Sequence, residues 1–192
     1  MERGTSLRVK HVVIATARLD GEPLDMRHFA EIRTLHSDPR VMATLSVDGK
    51  PFDESQSRAF LERSEEHWRL HGFGFWAFHD RAGGGFVGYC GLRHTTVEGK
   101  DEIELGYAVA SAMWRKGFAF EMSQASLRDG FERLRLDRIV AFTLTTNNAS
   151  RRTMEKLGFT YERDIIHAGL QHVLYQIDER SFTSRGLGAL DR

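Results

Sequence analysis

Leu105-Gly106-Tyr107-Ala108-Val109-Ala110-Ser111-Ala112-Met113-Trp114-Arg115-Lys116-Gly117-Phe118-Ala119-Phe120-Glu121 changes character twice along its length. An apolar, strand-like run gives way to a loop of small and polar residues, and the loop gives way to an amphipathic stretch that continues to Leu134. The first N–H groups of a helix have no partner inside it, and the helix dipole adds positive character there, so a junction of this kind suits a phosphate. Gly117 lets the backbone come close, Ala119 keeps the next turn narrow, and Arg115 and Lys116 supply positive charge. An ordinary strand-to-helix turn with a glycine in it has the same pattern.

Local charge matters because the whole carries none: Lys plus Arg number 27 and Asp plus Glu number 27. No global field exists to hold a nucleic-acid backbone, so nucleic acid is not an expected partner and an anion must be held locally. The 192 residues, 41% of them hydrophobic, suit one core. We expect one domain over residues 1–180 and a flexible tail over 181–192, where Gly186 and Gly188 lie. Cys90 is the lone cysteine and sits in the apolar run Phe86-Val87-Gly88-Tyr89-Cys90-Gly91-Leu92, which marks it as a small core residue and not a nucleophile. The apolar runs are too short for a membrane span and Met1 to Lys10 has no signal-type stretch, so the expected compartment is the cytoplasm.

Toward the N-terminus, His11 to Ala15 reads as a strand, Gly21-Glu22-Pro23 as a turn, and Leu24 to Leu35 as a helix stopped by Ser37-Asp38-Pro39. A second helix begins at Asp53-Glu54-Ser55-Gln56 and ends at Gly72. Phe73 to Phe78 and Phe86 to Arg93 form a hairpin, and Ile103 to Val109 follows the Val97-Glu98-Gly99-Lys100 turn. Beyond the amphipathic stretch Phe118 to Leu134 come a strand, Arg138 to Thr145, and a helix, Asn148 to Leu157, closed by Gly158. Tyr161 to Ile166 and His172 to Ile177 read as a last pair of strands. His67 and His71 share a helix face but lack a third ligand, so no metal is expected. Trp68, Phe73, Phe75 and Trp76 read as packing residues, with lining of an acceptor cleft by some of them as the alternative.

The loop resembles the pyrophosphate loop of GNAT acetyltransferases, Gln/Arg-x-x-Gly-x-Gly/Ala, with Trp114, Gly117 and Ala119 on the pattern. Trp in the first place departs from the general form and is similar to the RimJ/RimL-like branch. Thr16-Ala17-Arg18-Leu19, Ser37-Asp38-Pro39-Arg40-Val41, Gly88-Tyr89-Cys90-Gly91-Leu92, Glu104-Leu105-Gly106-Tyr107 and the long stretch from Asn147 to Phe159 resemble that branch too, so the likeness runs from about Val13 to Ile177.

The resemblance implies an α/β GNAT fold: a mixed, mostly antiparallel twisted sheet of about six or seven strands with about four helices, in which the family's fourth and fifth strands splay apart. It implies an N-acetyltransferase moving an acetyl group from acetyl-CoA to a primary amine, either a protein N-terminus or a small molecule such as a polyamine or amino acid. A non-catalytic CoA-binding protein is the rival reading. Tyr107, Ala108 and Val109 are implied backbone partners of the pantetheine arm, with Trp114, Arg115, Lys116, Gly117, Phe118 and Ala119 around the phosphates. Asn147 and Ser150 match the family's Asn-x-x-Ser motif, and Asn147 also suits a helix N-cap. Glu104 is the first candidate base and Glu102 the second, since both share one strand face; a solvated acidic face is the alternative. The family's acidic tyrosine corresponds to Met154, which cannot donate a proton, so Ser150 is the candidate acid, with Tyr107 or water behind it. Dimers are common in the family.

Overall fold

The computed structural model describes residues 13–184 and 186. His11 and Val12 of the expected first strand, and Met1 to Lys10, lie outside the described residues; what is described of that strand is β1, Ile14–Ala15. Gly21-Glu22-Pro23, read as a turn, belongs instead to β2, Leu19–Pro23. Its register against β3, Phe75–Asp80, pairs Gly21 with Phe78 and Pro23 with Trp76. Proline is tolerated there because it stands at the end of its strand.

The chain then passes a 3-10 turn, Met26–His28, whose capping Asp25 accepts from the Arg27 N–H, and enters α1, Phe29–Ser37. The helix expected from Leu24 thus begins later. A short helix α2, Pro39–Met42, follows directly on an Asp38 cap. In α3, Glu54–His71, Asp53 and Gln56 cap each other's backbone at the start, and Gly72 ends the helix at φ 70°.

β4, Phe86–Val97, and β5, Lys100–Val109, form a long antiparallel hairpin about Glu98 and Gly99. Helix α4, Phe118–Arg128, then crosses to β6, Arg138–Leu144. The amphipathic stretch does not stay α-helical to Leu134; it widens into a π turn at Asp129–Arg133. There Phe131 is buried, and the Gly130 backbone lies so close to Leu92 that an added Cβ would stand 2.6 Å from its methyl. After α5, Asn148–Leu157, come β7, Thr160–His167, and β8, Leu170–Asp178, and β8 slots between β6 and β7. Residues 181–184, expected to be a loose tail, continue α6, Glu179–Ser184, because Phe182 packs on Phe131 at 5.4 Å between ring centres. Residues 185 and 187–192 of that tail lie outside the described residues.

The sheet has eight strands in the order β1-β2-β3-β4-β5-β6-β8-β7. All neighbours are antiparallel except β5 and β6, which run parallel and share a single register pair, Glu104 with Val140. These correspond to the fourth and fifth strands that the resemblance implies should splay apart, numbered one higher because β2 is a strand. One face of the sheet carries Phe75, Ala77, Tyr89 and Ala108 under Ile32, Leu35 and Leu61 of α1 and α3. The other carries Trp76, Phe78, Cys90, Leu92 and Leu105 under Met122 of α4, Met154 of α5 and Phe182. Cys90 is fully buried, and burial pushes its thiol up to about 11, as a core residue requires. Among the described residues no helix is long and apolar enough to cross a membrane.

His36 is a buried polar residue in this core, ringed by Phe52, Phe60 and Tyr89. The Ser57 hydroxyl donates to the Asp53 carbonyl, so it receives the His36 Nδ1–H at 3.3 Å, and Nε2 has no partner. Burial, with Arg33 nearby, lowers its pKa from 6.5 to about 4. As pH falls from 6.5 to 4, the unfolded chain takes a proton at this site that the folded chain refuses, so stability declines across that window and is lost no further below it. The full effect is about 3 kcal/mol. Urea unfolding of His36→Leu is expected to show a smaller drop between pH 7 and pH 4.5 than the parent; equal drops would assign the acid sensitivity to other groups.

Candidate functional site

The site is built where β5 leaves β6. Glu104 sits at the one shared register pair, and past it no further pairing joins the two strands. Hydrogen-bonded pairs alternate along an antiparallel ladder. Because the Ala110 N–H donates to Val87 across the β4–β5 register, the even-numbered residues near the end of β5 direct their peptide groups at β4. Tyr107 and Val109 therefore turn theirs toward the gap beside β6, while Ala108, expected beside them as a partner, belongs to the β4 ladder.

At the end of β5 the Trp114 indole N–H donates to the Val109 carbonyl at 2.7 Å, which folds Ala110–Met113 back into a compact 3-10 turn. The Trp114 ring itself is half exposed. Arg115 takes a left-handed backbone at φ 63°, unusual for a side-chain-bearing residue, and Gly117 follows at φ 83°. Lys116 and Arg115 are exposed, Phe118 is buried, and Ala119 lies partly buried behind them. Helix α4 starts at Gly117 without a side-chain cap, unlike α3 and α5, so its first N–H groups and dipole face the exposed loop.

Arg18 holds this loop from outside. Its Nη1 donates to the Lys116 carbonyl at 3.1 Å, its guanidinium lies 4.4 Å over the Phe118 ring, and its Nε and Nη2 meet Glu121 at 2.7 and 2.5 Å. Glu121 also accepts from the Thr16 hydroxyl at 2.5 Å and from the Arg18 N–H at 3.0 Å. Thr16 and Arg18 enter the sequence reading through the resemblance alone, because nothing in their own sequence context points across to residue 121.

Residues three apart on a strand face opposite sides, and Glu104 and Tyr107 do so here. On the α4–α5 side the Tyr107 hydroxyl stands 2.8 Å from Ser150 Oγ, and burial pushes the phenol up to about 12. The Ser150 N–H donates to Asn147 Oδ1 at 3.2 Å, and Asn147 Nδ2 donates to the Thr143 hydroxyl at 3.0 Å. The capping role of Asn147 is thus realised, and one amide hydrogen is left over. Met154 is buried in the core.

On the α1–α3 side the Glu104 side chain is largely buried, and Arg93 donates from Nε and Nη2 to the same oxygen, Oε2, both at 2.8 Å. Among the described residues Glu104 Oε1 makes no hydrogen bond. The carboxylate in turn holds the Arg93 guanidinium above its ordinary value. Counting outward from the Glu98–Gly99 turn pairs Arg93 with Glu104, so this partner is legible in the sequence. Glu102, by contrast, has both oxygens on Arg138 Nη1 at 2.7 and 2.9 Å, and Arg138 also binds Glu162. It closes the zipped end of the strands and has no oxygen to spare.

His67 and His71 come together with His94, but His67 donates from Nδ1 to the Phe73 carbonyl at 2.8 Å and accepts the His94 N–H at Nε2 at 3.0 Å. Both its nitrogens are committed, and among the described residues no group of three or more His, Cys, Asp or Glu is placed to hold a metal.

The family description "Acetyltransferase (GNAT) domain" matches residues 18–160. The chain is 34% identical over 159 residues to FsC-acetyl coenzyme A-N(2)-transacetylase of Aspergillus fumigatus, covering 76% of this chain and 64% of that one. It is 31% identical over 131 residues to the YkkB protein of Bacillus subtilis, covering 68% and 74%. An acetyltransferase from Agrobacterium tumefaciens shares the fold with a TM-score of 0.77 over 93% of this chain and 100% of that one, at 22% identity.

Arg18→Ala is expected to speed amide hydrogen exchange severalfold across residues 115–121 while leaving β3 and β4 protected. Unchanged exchange there would mean that the loop holds its shape without Arg18.

Proposed function

The chain belongs to the GNAT acetyltransferase family and is an acetyl-CoA-dependent N-acetyltransferase; from that premise we propose how its residues divide the work. The diphosphate of acetyl-CoA rests on the exposed N-terminus of α4, with Arg115 and Lys116 beside it and the backbone from Trp114 to Ala119 around it. Trp114 acts through Val109, by shaping the loop. The pantetheine arm lies in the gap between β5 and β6 and pairs with the peptide groups of Tyr107 and the N–H of Val109, whose carbonyl Trp114 holds, as an added strand would. The leftover amide hydrogen of Asn147 is available to the same arm.

Glu104 is the base. Arg93 anchors one carboxylate oxygen and leaves the other for the amine, which is the arrangement an oriented proton acceptor needs. The amine nitrogen, relieved of its ammonium proton, attacks the thioester carbonyl; the N–C bond forms, the C–S bond breaks, and a second proton leaves nitrogen. One proton ends on sulfur and the other reaches solvent through Glu104. Ser150, paired with Tyr107, gives the departing thiolate its proton; Tyr107, protonated at any working pH, passes one on to Ser150, and the second proton shed by nitrogen returns to Tyr107, so both hydroxyls end as they began. The observation that carries this reading is that Glu104 and the Tyr107–Ser150 pair flank opposite faces of β5 at the point where the strands part. Donor and acceptor then approach the acyl carbon from opposite sides within one ternary complex.

The acceptor is a primary amine. A protein N-terminus, as for the RimJ/RimL-like branch, has the Trp114 loop in its favour, and a small molecule has the pocket beside α3 described below. The proposed compartment is the cytoplasm, and a homodimer is the proposed assembly.

Glu104→Gln is expected to lower kcat about 100-fold or more with little change in acetyl-CoA affinity. Thiol release at parental rates across pH 6 to 9 would remove Glu104 from the chemistry. Ser150→Ala is expected to lower kcat further at high pH than at low pH if it supplies the thiolate's proton; a pH-independent loss would make it a positioning residue.

A further inference from the structure

A cavity of about 210 Å³ opens between α3 and the start of β3 and end of β4. Phe60 and Phe75 give it an apolar wall, and Arg63, Arg93, His67 and His94 give it polar ones. Two of its lining residues tie it to Glu104: Arg93 donates to the Glu104 carboxylate, and the Phe75 ring lies against Gly106, next but one along the same strand face. No acidic side chain lines it.

Its two cations are incompletely used. Arg63 is exposed and, among the described residues, has no hydrogen bond or ion pair. Arg93 gives Nε and Nη2 to Glu104 and, among the described residues, has no hydrogen bond from Nη1. His67 adds no charge, because its Nε2 accepts a backbone N–H and so carries no proton. Glu66 on the outer side of α3 is held by Arg69 at 2.5 Å. Two arginines therefore line a pocket that no carboxylate lines, and Glu104, beside it, is engaged through a single oxygen.

We propose that the acceptor is a small amine that also carries a carboxylate, an amino-acid-like molecule whose carboxylate is bound by Arg63 and Arg93 while its amine reaches Glu104 Oε1. Guanidinium groups recognise carboxylates by paired, planar N–H donors, and a polycationic amine meets repulsion in the same place. This inference rests on the transfer reading above and narrows it to one class of acceptor; a peptide N-terminus, with an amide in place of the carboxylate, leaves both arginines unanswered.

The test measures thiol release by the full chain at saturating acetyl-CoA, with α-amino and ω-amino carboxylates each set beside its own carboxamide. The carboxylates are expected to exceed their carboxamides in kcat/KM by tenfold or more for at least one chain length. Arg63→Gln is expected to bring that ratio to within about threefold, mainly by raising KM for the carboxylate, whereas Arg81→Gln, which pairs with Asp20 away from the pocket, leaves it in place. Equal turnover of carboxylate and carboxamide, or a ratio indifferent to Arg63→Gln in a variant with parental thermal unfolding, overturns the inference while acetyl transfer itself stands. Absence of thiol release from every amine, carboxamides and N-terminal peptides included, strikes the transfer reading and this inference together.

Discussion

β5 and β6 are parallel neighbours that meet at one register pair, Glu104 with Val140, and then part. A parallel pair in the middle of a sheet ordinarily continues its ladder, because unpaired peptide groups in a protein interior are costly. Here the ladder is held shut on one side of the junction by Arg138, which ties Glu102 of β5 to Glu162 of β7. On the other side Tyr107 and Val109 direct their peptide groups into the gap. The single joined pair thus fixes both where the strands diverge and where Glu104 stands.

What lies beyond the junction is organised by charge and hydrogen bonding, since the protein has no net charge to spend. Positive potential is concentrated at the uncapped start of α4, next to Arg115 and Lys116, and Glu121 is kept from cancelling it by its bonds to Arg18 and Thr16. On the same side of the sheet, the chain Thr143–Asn147–Ser150–Tyr107 runs from β6 through the start of α5 to β5, so the two arms of the gap are linked by side chains where the backbone no longer links them. On the opposite face Glu104 and Arg93 stand beside the apolar residues packed under α1 and α3, among which His36 is also buried.

Much of this was legible before any coordinates. The strand, loop and helix from Leu105 to Glu121 read correctly because a change of periodicity marks each boundary, and α3 and α5 read correctly because Asp53, Gly72 and Gly158 are strong local caps. The errors fall where a distant contact overrides local pattern. Gly21-Glu22-Pro23 looks like a turn by composition, yet pairing with β3 makes it a strand. Phe118 to Leu134 looks like one helix, yet packing of Gly130 on Leu92 and Ile139 forces a π turn. Residues 181–184 look like a tail, yet Phe182 finds a place beside Phe131. Within the site, identities along β5 were readable, but the assignments to partners were not: Arg18 joins Glu121 across about a hundred residues, and Glu102 is withdrawn from chemistry by Arg138, which comes from another strand.

The claim on which everything turns is that a diphosphate and its thiol-bearing arm occupy the α4 loop and the β5–β6 gap. Amide NMR of the full chain titrated with coenzyme A addresses this directly. The account predicts saturable shifts at Tyr107 and Val109 and from Trp114 to Phe120, with β1 and the outer strand β7 unmoved. Saturable binding that shifts residues elsewhere and leaves Tyr107, Val109 and the Trp114–Phe120 amides in place would contradict it.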